Sequence, residues 1–193
     1  MDSAVSHKLP TQASLPEVFA DWFAARGWQP RSHQLDMLAT VSGGQSALLI
    51  APTGGGKTLA GFLPSLIELA QGAAGKGLHT LYVSPLKALA VDITRNLETP
   101  IREMGLDIRI EARTGDTPSH KRQRQKTNPP DILITTPEQV SLLITQEGAE
   151  HYFANLRVVV LDELHSMAPT KRGCLLALAL ARALGLALAL ALS

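Results

Sequence analysis

The chain of 193 residues contains a single cysteine, Cys174, and aromatic residues make up only 4% of it. One cysteine excludes an internal disulfide and a cysteine-based metal cluster, and it agrees with a reducing cytoplasm. We interpret Cys174 as a small buried residue. Residues 1–12 contain no apolar run of the kind that a signal peptide requires, so we do not expect secretion.

The chain also lacks an excess of either charge. Its formal net charge is +1, which argues neither for nor against a polyanionic partner, so any nucleic-acid surface must be local. A composition of 45% hydrophobic and 18% charged residues fits one globular domain with a real core. The polar residues 1–14 are expected to form a flexible N-terminus, which leaves 15–193 as the folded part.

Three consecutive glycines, Gly54, Gly55 and Gly56, follow the apolar run 47–50 and precede a helical pattern. We predict a turn between a buried strand at 47–50 and a helix. Glycines let backbone N–H groups approach a polyphosphate closely, and the start of the helix adds a partial positive charge. The segment therefore predicts a phosphate-binding loop.

Thr53, Lys57 and Thr58 complete this loop. Lys57 is predicted to contact the outer phosphates of a nucleotide, and the Thr58 hydroxyl to hold a magnesium ion. The general pattern begins with glycine, whereas Ala51 occupies that position here. A flexible turn with an incidental Lys-Thr pair is the alternative, and the coincidence of strand, loop and helix disfavours it.

Upstream of the loop, Arg31 and Gln34 follow Pro30 at the start of a second helical pattern. A glutamine at the start of a helix can present its amide to both a donor and an acceptor on an adenine edge. Taken alone, Gln34 would be an ordinary surface residue, so the nucleotide reading depends on the loop that follows it.

Strand and helix patterns alternate along the rest of the chain, which predicts an α/β fold with a mostly parallel sheet and helices on both faces. Residues 107–113 alternate at period two, so this strand should have one polar face. The predicted strands comprise 80–83, 107–113, 131–135 and 157–161. A basic run, 120–126, is either a solvated helix face or a phosphate-contacting surface, and both readings stay open.

Asp162 and Glu163 follow the most strongly apolar strand. Ligands bind at the carboxyl ends of the strands in open α/β sheets, so we expect these acids beside the phosphate loop. Asp162 is our candidate magnesium ligand, and Glu163 our candidate base for the water that attacks the γ-phosphate. An Asp-Glu pair alone is common in ordinary loops, so its assignment to a nucleotide site depends on the glycine loop.

Taken together, these segments resemble the first RecA-like domain of a superfamily 2 DExH-box helicase, over about residues 28–179. In that superfamily alanine is normal at the position of Ala51. The residues within the motifs most resemble those of the large helicase-related (Lhr) family, including its ligase-associated members. The matching segments are 30–34 (glutamine motif), 51–58 (motif I), 82–89 (motif Ia), 113–116 (motif Ib), 135–138 (the motif after the next strand) and 162–165 (motif II).

The resemblance implies an ATP- and magnesium-dependent DNA-repair helicase that moves 3′ to 5′ on single-stranded DNA, with repair proteins such as a ligase as partners. An RNA helicase of the same superfamily and a binding module without turnover remain alternatives. By the same resemblance, His165 couples ATP state to nucleic-acid grip. The residues that would meet the sugar-phosphate backbone are Lys87, Thr114, Gly115, Thr136 and Glu138.

Residues 175–192 consist of leucine and alanine apart from Arg182 and Gly185. They predict either a helix or a segment that nearly spans a membrane, and Arg182 favours a helix of the nucleotide domain. Strict Leu-Ala alternation should give that helix no stable face. The chain stops before the motif III and the second RecA-like domain that the resemblance implies, so we expect weak ATP binding, poor hydrolysis and no unwinding.

Overall fold

The computed structural model describes residues 15–52, 54–72 and 77–191. The predicted flexible N-terminus, 1–14, and the loop residue Thr53 lie outside the described residues. The chain divides into two compact units, the first ending at Ile67 and the second beginning at Glu68. Each unit is described by itself.

The first unit contains the helices α1 (Glu17–Ala25) and α2 (Ser32–Ser42), and α3 (Lys57–Ala70) begins in it. Phe19 and Phe23 lie one helical turn apart on α1, and both are buried. The helices predicted on either side of Pro30 and after the glycine loop are therefore confirmed.

The strand predicted at 47–50 is not formed. These residues have no regular secondary structure, and the side chains of Leu48 and Ile50 are 74% and 87% exposed. Extended backbone needs a neighbouring strand to satisfy its N–H and C=O groups. Within the described residues this segment pairs with none of the strands, so its apolar character alone does not make it one.

The second unit contains four parallel strands in the order β2-β3-β1-β4. They are β1 (Thr80–Val83), β2 (Ile110–Arg113), β3 (Ile132–Thr135) and β4 (Val158–Leu161). The last residues of all four strands are in register, because Val83 pairs with Thr135 and Leu161, and Thr135 pairs with Arg113. The predicted α/β parallel sheet is confirmed, and its carboxyl ends form one level edge.

Helices cover this sheet. They are α4 (Lys87–Glu103), α5 (Ser119–Thr127), α6 (Pro137–Ile144), α7 (Ala149–Phe153), α8 (Leu164–Met167) and α9 (Lys171–Ala191). Leu81 and Leu133 belong to a core cluster with α6, α7 and α9. The alternate residues Tyr82 and Ile134 point to the opposite face and are also buried, as in a sheet covered on both sides.

The polar side of β2 faces the interior of the unit. Glu111 and Arg113 are only 8% and 4% exposed. From α5, Arg124 donates to both carboxylate oxygens of Glu111 at 2.8 Å, and Gln125 donates to Oε2 at 2.9 Å. The strand is also shorter than predicted. Its buried carboxylate persists because it is paired and hydrogen-bonded.

The repetitive C-terminal segment forms α9, as the helix reading predicted, but the prediction that it lacks a stable face is wrong. Leu176, Ala179 and Ala183 are buried at helical spacing, whereas Leu178 is 72% exposed. Alanine is apolar and small, so a leucine-alanine helix offers the core acceptable atoms on any side, and the helices packed against it select the face.

Cys174 is exposed, contrary to our interpretation of it as a buried residue. It lies two positions before Leu176, which places the two side chains on opposite sides of the helix. Within the described residues, no helix is both long and apolar enough to cross a membrane.

Candidate nucleotide site and nucleic-acid surface

The glycine loop lies immediately before α3. Gly54 and Gly56 have φ angles of 77° and 74°, which side chains rarely adopt. A Cβ on Gly55 would lie 2.8 Å from the Pro52 carbonyl oxygen. These positions therefore need glycine for steric reasons. The Lys57 ammonium donates a hydrogen bond to the Ala51 carbonyl oxygen at 3.0 Å, so it lies across the mouth of the loop.

Arg31 and Gln34, the two residues predicted to bind nucleotide at the start of α2, both contact this loop. Gln34 Nε2 donates to the Gly56 carbonyl at 3.4 Å, and Arg31 Nη1 donates to the Gly54 carbonyl at 3.3 Å. Gln34 Oε1 accepts from the Arg31 backbone N–H at 2.9 Å. Gln34 is therefore a buried link between α2 and the loop. Its amide keeps one further N–H and one lone pair, which is the capacity an adenine edge would use.

Thr58, the predicted magnesium ligand, is the second residue of α3 and is half-buried. The other predicted ligand, Asp162, follows β4 in the second unit. Asp162 continues the strand ladder by donating its N–H to the Val83 carbonyl at 2.9 Å. Its Oδ1 accepts the backbone N–H of Glu163 at 2.9 Å, which fixes the direction of the carboxylate.

Tyr82 contacts this carboxylate. Burial raises the pKa of the Tyr82 phenol far above its ordinary value, and a hydrogen bond to Asp162 with the charge of that carboxylate adds to the effect. The phenol therefore stays protonated and acts as a donor. Sequence reasoning missed Tyr82, because its contact with Asp162 depends on the pairing of β1 with β4.

Glu163, the predicted base, has a left-handed backbone, with φ 48° and ψ 39°, alone among the non-glycine residues that the structure describes. Its Oε2 lies 3.4 Å from Nε2 of His165, the predicted coupling residue. The His165 side chain is 81% exposed. Left-handed backbone at a residue with a Cβ costs about 1–2 kcal/mol, and such strain concentrates at functional sites.

The predicted nucleic-acid contacts lie at the carboxyl ends of three neighbouring strands. Ser84 donates its N–H to the Thr135 carbonyl at 2.9 Å, and the Thr135 hydroxyl donates to the Arg113 carbonyl at 2.7 Å. A Cβ on Gly115 would lie 3.2 Å from Lys87 Nζ, so the Lys87 side chain reaches the turn after β2.

The individual side chains at this edge have internal partners. Lys87 Nζ lies 3.1 and 3.2 Å from the two carboxylate oxygens of Asp116. Thr114 is buried, and its hydroxyl accepts the backbone N–H of Asp116 at 3.3 Å. Thr136 is buried at the start of α6. Glu138 accepts a hydrogen bond from Arg172 Nε at 2.6 Å.

The basic run 120–126 forms most of α5, and two of its arginines make contacts within the fold. Arg122 donates to the carbonyl oxygens of Gly115 and Thr117 and so supports the turn after β2. Arg124 pairs with Glu111. The sequence alone gave no sign of these roles, because the three partners on β2 and the turn that follows it meet α5 only in the folded chain.

Residues 31–189 match the family model described as DEAD/DEAH box helicase. The chain belongs to that family, and the parallel sheet with its covering helices is a RecA-like helicase domain.

Within the family the chain is homologous to the Lhr helicases. It is 45% identical over 171 residues to the Lhr helicase/probable uracil glycosylase of Mycolicibacterium smegmatis, covering 82% of this chain and 11% of the relative. It is 39% identical over 173 residues to the ATP-dependent helicase Lhr-Core of Methanothermobacter thermautotrophicus, covering 83% of this chain and 20% of the relative. The chain thus spans only about a tenth to a fifth of these relatives' length.

Solved structures agree. The Mycobacterium smegmatis helicase Lhr bound to ssDNA and AMP-PNP matches with a TM-score of 0.80 and 43% identity, covering 89% of this chain and 23% of that one. The DUF1998 helicase MrfA bound to DNA and AMPPNP matches with a TM-score of 0.72 and 34% identity, covering 82% of this chain and 22% of that one. The expected resemblance to the Lhr family is confirmed.

Proposed function

We propose that the chain is the nucleotide-binding motor domain of an ATP-dependent DNA helicase, which binds ATP with magnesium and single-stranded DNA. The observation that carries this proposal is the glycine loop at the start of α3, with Lys57 across its mouth and Gln34 and Arg31 holding two of its carbonyls. Such a loop offers N–H groups and a cation to the phosphates while α2 presents a partly free amide to the base.

In this proposal, Lys57 binds the outer phosphates, and Gly54, Gly55 and Gly56 allow their close approach. Thr53 would also contact the nucleotide. Hydroxyl and carboxylate oxygens are hard ligands that Mg²⁺ takes beside phosphate groups, so Thr58 and Asp162 each have the chemistry of a magnesium ligand. When bound, magnesium would neutralise developing phosphate charge.

Glu163 would accept the proton of the attacking water. Its half-buried carboxylate, the left-handed backbone that aims it, and its contact with His165 support this role. His165 would then sense any movement of Glu163 that accompanies a change of nucleotide state, which is the coupling role we propose for it.

For nucleic acid, we propose that backbone contacts come from the edge where β1, β2 and β3 end, at Lys87, Thr114, Gly115, Thr136 and Glu138. Contacts to the sugar-phosphate backbone give little sequence preference. The relatives whose solved structures hold DNA favour DNA over RNA as the ligand. DNA repair, a ligase among the partners and a location in the cytoplasm complete the proposal.

The central experiment is ATP hydrolysis by the purified 193-residue chain, with and without a single-stranded oligodeoxynucleotide. We expect nucleotide binding with slow turnover, because an added arginine can contribute about 10³- to 10⁵-fold in phosphoryl transfer and we assign none to this chain. Glu163→Gln should abolish the remaining turnover and keep binding.

The alternatives correspond to separate outcomes. Binding with no turnover under any condition would favour a module that binds without hydrolysis. Stimulation by an oligoribonucleotide above that by the matched oligodeoxynucleotide would favour an RNA helicase domain. Absence of nucleotide binding in a folded chain would overturn the proposal. Duplex unwinding by this chain would contradict only the expectation that it cannot unwind DNA.

A further inference from the structure

Arg172, at the start of α9, connects two of the elements that end at the nucleic-acid edge. Its Nε donates to Glu138 Oε1 on α6 at 2.6 Å, and its Nη2 donates to the Pro85 carbonyl at 3.1 Å. Pro85 lies two residues before Lys87, in the turn after β1. A single guanidinium therefore links the turn after β1 to the first turn of α6.

Glu138 is an anion in the middle of a surface that should attract phosphates. Burial of its carboxyl raises the pKa, but hydrogen bonds from Arg172, from its own backbone N–H and from Thr136 outweigh this, so the pKa lies below its ordinary value. The carboxylate is half exposed and charged at neutral pH. An unpaired carboxylate here would repel a nucleic-acid backbone.

We propose that Arg172 is a positioning residue of the nucleic-acid surface, which holds the Glu138 carboxylate against α6 and neutralises it so that a phosphate backbone can pass. This inference rests on the proposed function. It changes the role of Glu138 from a direct phosphate contact to the anchor of Arg172.

The bridge also gives the inference a geometric requirement. Arginine offers several N–H groups in a fixed planar fork, whereas lysine is a point charge on a flexible stem. Here Nε of the guanidinium contacts the Glu138 carboxylate while Nη2 contacts the Pro85 carbonyl. Arg172→Lys should therefore keep the charge and lose part of the positioning.

The test is a charge-rescue cycle on the full 193-residue chain, measured by binding of a fluorescein-labelled single-stranded oligothymidylate. Arg172→Ala should weaken binding by about five-fold, because it leaves the Glu138 carboxylate unpaired and this negative charge repels the phosphates. Glu138→Gln is the reference for the cycle, because it removes the carboxylate charge and leaves an amide of nearly the same shape. In Arg172→Ala/Glu138→Gln the affinity should return to within about two-fold of Glu138→Gln alone.

Arg182→Ala is the matched control, because it removes the same charge from the same helix about 15 Å further along. It should change affinity by less than about two-fold, and Arg172→Lys should fall between the wild type and Arg172→Ala. Thermal unfolding of each variant identifies loss of fold. The deficit of Arg172→Ala should shrink at higher salt, because salt screens the exposed carboxylate.

Three outcomes would overturn the inference. If the double variant binds as weakly as Arg172→Ala, Arg172 contacts the nucleic acid directly. If Arg172→Ala binds like the wild type, the bridge has no role in binding. If the folded wild-type chain does not bind the oligonucleotide at all, both this inference and the proposed function fail, and the wild-type measurement alone shows it.

Discussion

The Lys57 ammonium and the Ala51 carbonyl oxygen are 3.0 Å apart, so the lysine that should meet phosphate donates to its own loop. A nucleotide must replace this single neutral acceptor with phosphate oxygens, which form stronger charge-assisted hydrogen bonds. The contact therefore holds the side chain near its working position without a large energetic barrier to binding.

Lys57→Ala should reduce affinity for a fluorescent ATP analogue by at least about ten-fold, because a charged hydrogen bond to phosphate is lost. Stability should change by only about 1 kcal/mol, since one partly buried hydrogen bond is removed. Arg182→Ala is the control for net charge. Unchanged nucleotide affinity in Lys57→Ala would contradict the role we assign to Lys57.

Gly56→Ala should damage the loop by more than its backbone angle alone explains. Its Cβ would lie 3.0 Å from Gln34 Nε2, at a φ of 74°. Gly44 has a φ of 72° and nothing within 4 Å, so Gly44→Ala carries the backbone penalty without the clash. We expect both variants to lose about 1–2 kcal/mol from the backbone, and only Gly56→Ala to lose nucleotide affinity.

Glu163→Gly should separate stability from function. Glycine adopts the left-handed backbone at 48° freely, so it should raise the free energy of unfolding by about 1 kcal/mol relative to Glu163→Gln. Both variants should lose ATP hydrolysis, because both lack the carboxylate. Urea unfolding measures the difference, and a Glu163→Gly variant less stable than Glu163→Gln would contradict the strain argument.

His79 should make stability depend on pH. Burial lowers its pKa below the ordinary value of 6.5, although the nearby Glu68 and Asp131 carboxylates raise it and Arg157 lowers it slightly further. The unfolded chain thus binds the proton more readily, so the contribution of neutral His79 is full above about pH 6.5 and is lost as the pH falls. Melting temperature should drop between about pH 7 and about pH 5.

His79→Gln should flatten this dependence, whatever its effect on overall stability. His120 is exposed at the start of α5, so His120→Gln is the control and should keep the wild-type profile. An unchanged slope in His79→Gln would assign the pH dependence to other groups.

Leu176 and Leu178 test which face of α9 is buried. Leu176 is 3% exposed and Leu178 is 72% exposed. Leu176→Ala should therefore cost about 2–4 kcal/mol through lost burial and a cavity. Leu178→Ala should stay within about 0.5 kcal/mol of the wild type. Equal effects of the two substitutions in urea unfolding would show that α9 does not pack through Leu176.

Much of the fold could be predicted from local patterns. The strands at 80–83, 132–135 and 158–161 and the helix that begins at Pro137 are each encoded by a short apolar run or a helix-start residue. The segment 47–50 has the same apolar character and forms no strand, because pairing depends on a partner that a local pattern does not contain.

The candidate site divides in the same way. The residue types and spacing of Lys57, Asp162 and Glu163 nominated a nucleotide site directly, because phosphate binding needs glycines and a cation in one short segment. The partners of those residues could not be read from the sequence. Tyr82 meets Asp162, and Arg172 meets Glu138, only because strands and helices distant in the chain are brought together.

The sequence by itself determined the helicase family, the order of the motifs and the parallel α/β character, since these depend on residue type and short-range period. Only the tertiary structure decided which charges are internal, such as Glu111 with Arg124, and which side of α9 is buried. The physical reason is that burial and ion pairing are properties of neighbours in space, and a leucine-alanine repeat or a basic run presents the same local pattern whichever side its neighbours cover.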